Sequence, residues 1–330
     1  MTNEEKLRDA IIRSQVYLEG VKLDTAEEVE SAFENLGVAL AAILAGLGIV
    51  KLSELSIKSL RKLITKLRAS ITRRFNAVNR KVQQIVASLS KIELQIQTAL
   101  HKTFFEAKRA LPTIEGVLSR VRSAVIPGVG GTIGEMLGGN LGRLREEITR
   151  MIRGGHANDE SIQDLIQRIT GTRGKRYRDG WIAKTRRSVR SAVATALQHA
   201  ASLVGSMTGA AFFERYQWVS VLDERTTDIC TDRDGKIYVY GSGPVPPAHY
   251  NCRSTTVPYS EETTADWRKT DWFEWATSQP REILDDMIGR TASAAMRADG
   301  ASVSDFPRLT TVRRLSLANY ATKFNNLLDE

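Results

Sequence analysis

From Lys51 to Leu111 the chain contains neither glycine nor proline, and its apolar residues fall on one helical stripe. The stripe is Ile57, Leu60, Ile64, Leu67, Ile71, Phe75, Val78, Val82, Ile85, Leu89, Ile92, Ile96 and Leu100. Its steps alternate three and four, with an extra four at Ile71–Phe75 and at Ile96–Leu100. Such a heptad-like seam with two stutters averages close to the 3.6-residue turn of a straight helix. The spacing predicts one helix of about 66 Å from Ile57 to Leu100. Its stripe must be covered by a bundle or by a second copy of the chain.

The other faces of this helix carry Arg61, Lys62, Lys66, Arg68, Arg73, Arg74, Arg80 and Lys81. A solvated helix usually mixes signs for i,i+4 support, and this one mostly does not. A bundle helix with a cationic outer face is the plainer reading. The scarcity of glutamate favours a helix laid along nucleic acid, where each neutralised phosphate releases counterions. The chain's net charge of +9 is placed unevenly: −5 over residues 1–50, +11 over 51–111, +6 over 112–260 and −3 over 261–330. A basic middle of this kind is the electrostatic footprint of a polyanion partner.

Helices are expected at 3–20 and 25–50. The first 35 residues are polar and acidic, unlike a secretory signal. Leu36–Val50 is the longest apolar run, at fifteen residues with three glycines. That is short of the ~18–20 residues a membrane span needs, so it reads as a core helix and membrane contact is not expected. The glycine-rich Ile126–Gly142 lacks the Gly-Lys-Ser/Thr ending of a phosphate-binding loop and reads as a flexible joint or close-packing segment. Helix resumes over 141–153 and is expected to break at Gly154-Gly155. A short helix from Ser161 closes at Gly171, and a strongly basic run covers 173–190. A further helix runs from Ile182 towards Gly205. Alternation at Tyr216–Leu222 and Lys236–Tyr240, around an Asp234-Gly235 turn, predicts two strands. Trp267, Trp272, Phe273 and Trp275 then cluster ahead of a helix marked by Ile283, Leu284, Met287 and Ile288. The fold class is mainly α with a small β element (α+β). The expected segments are a helical 1–50, a long basic helix and glycine-rich joint at 51–154, a compact domain at 155–260 and a helical, aromatic docking segment at 261–330.

Both cysteines of the chain and one of its four histidines lie within 23 residues, as Cys230, His249 and Cys252. Thiolate and imidazole are the preferred zinc donors at neutral pH. Two residues separate His249 from Cys252, so one tight turn can present both, and a hairpin can carry Cys230 to them. Asp228 or Asp232, Asp223, or water can supply a fourth ligand. Three ligands with an open position would look catalytic, while a closed set would staple the sheet. Asp223-Glu224-Arg225-Thr226 reads as local scaffolding, an ion pair at a strand end with a threonine capping the next turn. No catalytic residue is assigned.

The sequence from Lys184-Thr185-Arg186 through Tyr216-Gln-Trp218, Asp223-Glu-Arg-Thr226 and Cys230–Gly235 to Pro246-Pro-Ala-His-Tyr-Asn-Cys-Arg-Ser254 resembles the head-morphogenesis domain of tailed bacteriophages. These are the phage Mu F-like minor head proteins, and the likeness covers roughly 155–260. By position it carries across Asp223, Arg225, Thr226, Cys230, Gly235, Pro246, Pro247, His249, Cys252 and Arg253. The family pattern often has histidine where this chain has Cys230, and either residue ligates metal. The resemblance implies a low-copy capsid protein that joins the procapsid near the portal and is packaged with DNA. Implied partners are portal or major capsid protein and packaged double-stranded DNA, with a homo-oligomer through the long helix as a further expectation. The implied place is the virion head interior, after assembly in the host cytoplasm. A structural Zn2+ is the expected cofactor, with a Cys230–Cys252 disulfide as the smaller alternative. The rival expectations are a zinc-dependent hydrolase acting on nucleic acid, and an internal protein ejected with the DNA that touches membrane.

Overall fold

The long helix is present. In a computed structural model that describes residues 2–221, 226–260, 272–301 and 312–328, it runs unbroken from Ile57 to Phe104. We call it α2. The other helices are α1 (Asn3–Ala45), α3 (Ile114–Ser123), α4 (Ile133–Ala157), α5 (Ile162–Thr170), α6 (Trp181–Phe212), α7 (Asp228–Arg233), α8 (Trp272–Ser278), α9 (Arg281–Ile288), α10 (Arg290–Met296) and α11 (Leu317–Leu328). Three strands, β1 (Arg215–Val219), β2 (Ile237–Val239) and β3 (Thr255–Tyr259), form one antiparallel sheet in the order β2-β1-β3. The chain is therefore mainly α with a small β element. No described helix is long and apolar enough to cross a membrane.

Contacts divide the chain into two compact units. One comprises residues 1–25, 86–130 and 194–330, and the other 26–85 and 131–193. Both are discontinuous, because α1, α2 and α6 each contribute residues to both.

In the first unit the apolar side of α2 continues as Leu89, Ile96 and Leu100, all buried. Glu93 is the only carboxylate of α2 and is buried too. It accepts a 2.5 Å hydrogen bond from the Tyr320 hydroxyl on α11, and Ser14 of α1 lies 2.8 Å from the same oxygen. His101 is packed against the Phe212 and Phe213 rings, and burial lowers its pKa to about 4, so it sits there neutral. At Gly20 a Cβ would lie 2.5 Å from the Arg313 carbonyl oxygen. That glycine is a notch for a passing chain, and α1 runs through it as one helix where a break was expected between 20 and 25.

The sheet has β1 at its centre, with Tyr216 opposite Tyr238 and Trp218 opposite Thr256. β1 and β2 fall where alternation places them, although β1 stops at Val219. β3 was not anticipated. Pro258 weakens its strand signal, and an edge position is where a proline is tolerated.

In the second unit Phe33 of α1 meets Phe75 of α2 edge-on, with ring centroids 5.7 Å apart. Lys81 pairs with Glu28 at 3.0 Å and Arg190 with Glu30 at 3.2 Å, so some balancing carboxylates come from α1 rather than from the basic helix itself. The predicted stripe is covered by the chain's own residues from Leu60 to Val82, whereas Ile57 is exposed. α4 corrects the reading of 126–142 as a joint. Thr132 and Glu135 form a reciprocal capping box, and helix runs from Ile133 through Gly154-Gly155 to Ala157. The Ile126–Val129 part of that segment is a tight turn, and the close packing expected of it is real at Gly128.

Candidate metal centre

Cys230, His249 and Cys252 converge. Their ligand atoms all lie within 4.8 Å of one another, and no other described carboxylate, cysteine or histidine joins the group. Cys230 Sγ is 3.1 Å from His249 Nε2 and 3.7 Å from Cys252 Sγ. Two thiolates each bound at about 2.3 Å to a tetrahedral ion are about 3.8 Å apart, so the sulfur pair already has the span of a zinc site. Both cysteines are free thiols in this arrangement rather than a disulfide.

Each donor is placed by an identifiable local feature. Cys230 sits in the single turn of α7, which Thr227 precedes. Cys252 closes the turn His249–Cys252, in which Asn251 adopts a left-handed φ of 58° and donates its amide to Thr195 Oγ1 at 3.1 Å. Pro246 and Pro247, joined by a cis peptide, lead into that turn and are buried. Gly128 allows the 126–129 turn to pass against it. A Cβ there would lie 2.3 Å from the Ala248 carbonyl and the His249 nitrogen.

Below the donors the Trp218 ring packs with Cys230, Ala248 and Cys252, and Tyr238 lies against the group. The Trp218 indole N–H donates to Ser220 Oγ at 2.9 Å. Ser220 Oγ in turn donates to the Cys230 carbonyl at 2.9 Å and lies 3.1 Å from Ser254 Oγ. Buried Lys22 of α1 donates to the Cys252 carbonyl at 3.3 Å and pairs with Glu19. The Ser220–Ser254 and Lys22–Cys252 supports were missed in the sequence, because they join residues 34 and 230 positions apart.

The electrostatics suit a metal. Cys252 is held well below the usual thiol range, first by the hydrogen bond from Cys230 and then by His249 and the backbones of Ala248 and Ser254. The same bond and burial push Cys230 up, so the two sulfurs share one proton. His249 is raised, chiefly by its hydrogen bond to Cys252. The thiolate is the ligating form; Cys252 offers one already, while the protons favoured on Cys230 and His249 would be released on binding. His249 Nδ1 donates to the Tyr250 carbonyl at 2.8 Å, which turns Nε2 towards the sulfurs, where it would give up its proton to ligate an ion. Orientation of a ligating imidazole through its other nitrogen is the usual second interaction around bound zinc. The residues therefore fit a soft, tetrahedral ion.

Asp228 and Asp232 do not join the donors. Both lie two residues from Cys230 on α7, which turns them to other faces of the helix, and both are exposed. Asp223 and Arg225 lie outside the described residues. Thr226 hydrogen-bonds the Val221 carbonyl rather than capping α7. Gly235 has a φ of 73°, as its turn demands, and Arg253 borders a cavity of about 60 Å³ beside β1. The eight cations of α2 all belong to the second unit, away from the cysteines in sequence. Arg61, Lys62, Lys66, Arg73, Arg80 and Lys81 are exposed and Arg68 and Arg74 partly so.

Comparison with known proteins adds one finding. Residues 143–257, about a third of the chain, match the family described as phage Mu protein F like protein, the family that the Asp223–Ser254 motifs resemble. The matched stretch contains all three candidate ligands, and it supports a protein related to the phage head. No curated protein and no solved structure matches the chain.

Proposed function

We propose that the protein is a minor head protein of a tailed bacteriophage, built into the procapsid in few copies near the portal and contacting packaged DNA. The observation that carries the head assignment is the family match over 143–257, which spans the Cys230–His249–Cys252 cluster. The role is one of placement rather than catalysis. A zinc ion held by these three residues would supply a cross-link between α7 and the 246–254 loop. The chain's own residues prepare that link: Cys252 keeps its thiolate, Tyr250 orients the imidazole, and Trp218 and Ala248 shield the sulfurs. Cys230 and Cys252 are 2 % and 0 % exposed, a setting that suits a structural ion better than one that must admit substrate.

Support for DNA contact comes from charge. The second unit carries 23 lysines and arginines against 12 aspartates and glutamates, a net +11, while the first carries 24 against 26, a net −2. The whole positive excess of the chain thus belongs to one compact unit, which pools the basic face of α2 with the basic run 173–190. Lys58, Arg61, Lys62 and Lys66 line an open surface depression on α2, suited to a phosphate backbone. Portal and coat subunits are the proposed protein partners.

Quantitative mass spectrometry of purified virions beside DNA-free heads tests the reading. A few copies per particle in both preparations is the expected result. Absence from both would point instead to a factor or enzyme acting in the infected cell, and DNA cleavage by the pure protein with zinc or magnesium would revive the hydrolase reading.

A further inference from the structure

Between α5 and α6 the chain makes an outward loop, Gly171-Thr-Arg-Gly-Lys-Arg-Tyr-Arg-Asp-Gly180. Its neck is fastened. The Asp179 carboxylate accepts from both the amide and the hydroxyl of Thr172, each at 2.8 Å. These bonds hold Asp179 below the usual carboxylate range, so it stays ionised. The two ends of the loop touch backbone to backbone, since a Cβ on Gly180 would lie 2.3 Å from the Gly171 nitrogen. Inside the loop, the amides of Arg176, Tyr177 and Arg178 donate to the carbonyls of Arg173, Thr172 and Lys175 at 2.9–3.1 Å. Arg187 of α6 donates to the Arg178 carbonyl at 3.3 Å and secures the exit.

What this small frame displays is unusual. Arg176 and Tyr177 are consecutive non-glycine residues with φ of 50° and 58°, a costly backbone for side chains that carry a Cβ. Tyr177 is 56 % exposed, so its ring gains little from packing in return. Arg173, Lys175, Arg176 and Arg178 around it are all exposed. Strained backbone that holds an aromatic ring outward among four cations is better explained by a ligand than by the fold. Cations that follow a phosphate chain, with an aromatic ring on which a base stacks, are the two elements of single-stranded nucleic-acid recognition.

We propose that the 171–180 loop is a nucleic-acid finger. Arg173, Lys175, Arg176 and Arg178 contact phosphates, and Tyr177 stacks on an unpaired base, as found in a single strand or at an open DNA end. The proposal rests on the DNA reading above and extends it, because a closed duplex offers no free base face to Tyr177.

The test is fluorescence anisotropy of the full chain with a labelled single-stranded oligonucleotide and with the same sequence closed as an end-free duplex dumbbell, each titrated with salt. Tyr177→Gly removes the ring while suiting the left-handed backbone, so its melting temperature should match or exceed that of the parent. It should weaken single-strand binding about tenfold or more, leaving the salt slope and dumbbell affinity in place. Tyr177→Trp should restore the single-strand affinity. Changing all four loop cations to Gln should lower the single-strand salt slope by about 3. If the parent binds both DNAs and the loop variants match it, the finger is wrong while the α2 contact stands. If the parent binds neither DNA, the finger and the DNA reading fall together.

Discussion

The two compact units differ in what their sequences invest in. The first, near neutral at −2, holds both cysteines and a set of buried polar contacts: Glu93–Tyr320–Ser14, Trp218–Ser220–Ser254, and Lys22 on the Cys252 carbonyl. The second, at +11, holds no cysteine, and its named polar contacts are mostly surface ion pairs such as Lys81–Glu28 and Lys51–Asp159. Exposed pairs of that kind contribute little to stability, typically under ~1 kcal/mol each. Buried polar groups are costly unless satisfied, so the first unit specifies one arrangement. Its chemistry faces inward, and that of the second faces outward.

The largest effect that would sharpen this contrast is loss of the metal cluster. Cys230→Ser and Cys252→Ser should each lower zinc content and melting temperature together, by several kcal/mol of stability, as for other structural zinc sites. Zinc content equal to the parent's in both variants would remove the site. Next is pH. Burial pushes the Glu93 carboxyl up to about 7 from its ordinary 4.5. The folded state then binds more protons than the unfolded state between those values, so stability falls as pH rises from about 4.5 through 7. Glu93→Gln should abolish that slope, worth a few kcal/mol, in denaturant melts from pH 5 to 8. A slope that survives the substitution would place its origin elsewhere. Gly128→Ala should cost about 1–3 kcal/mol and loosen zinc binding, because the new methyl meets the Ala248–His249 backbone. Zinc affinity equal to the parent's would show that the ligand turn does not depend on that contact. The smallest expected change in stability belongs to the second unit. Arg61, Lys62 and Lys66 changed together to Gln should leave melting within about 0.5 kcal/mol of the parent. The same change should lower the duplex salt slope by about 2.7. An unchanged slope would break the assignment of DNA contact to α2.

Much of this was legible in the sequence, for reasons that differ by element. α2 could be read because period and composition agree over more than ten turns; the register drifts only at Ile85 and Ile92, where Val86 and Glu93 take the buried positions. Cys230, His249 and Cys252 could be read because rare donor types cluster within 23 residues. Glycine was the main source of error. Gly154-Gly155 was read as a break, yet both lie inside α4, since tertiary contact at Gly155 and the Thr132–Glu135 cap outweigh a local cost of about 1 kcal/mol each. Glu93 broke the apolar stripe without announcing its partner, because Tyr320 lies 227 residues away. The pooling of α2 with 173–190 was equally hidden, as spacing along the chain carries no sign of which segments share a unit.

The most direct test of the account is ultraviolet crosslinking of DNA-filled virions, followed by mass spectrometry of the peptides left attached to nucleotides. Adducts within residues 57–81 and 171–190, with none across 228–257, are the predicted result. Adducts concentrated in 228–257, or none in particles that contain the protein, would contradict it.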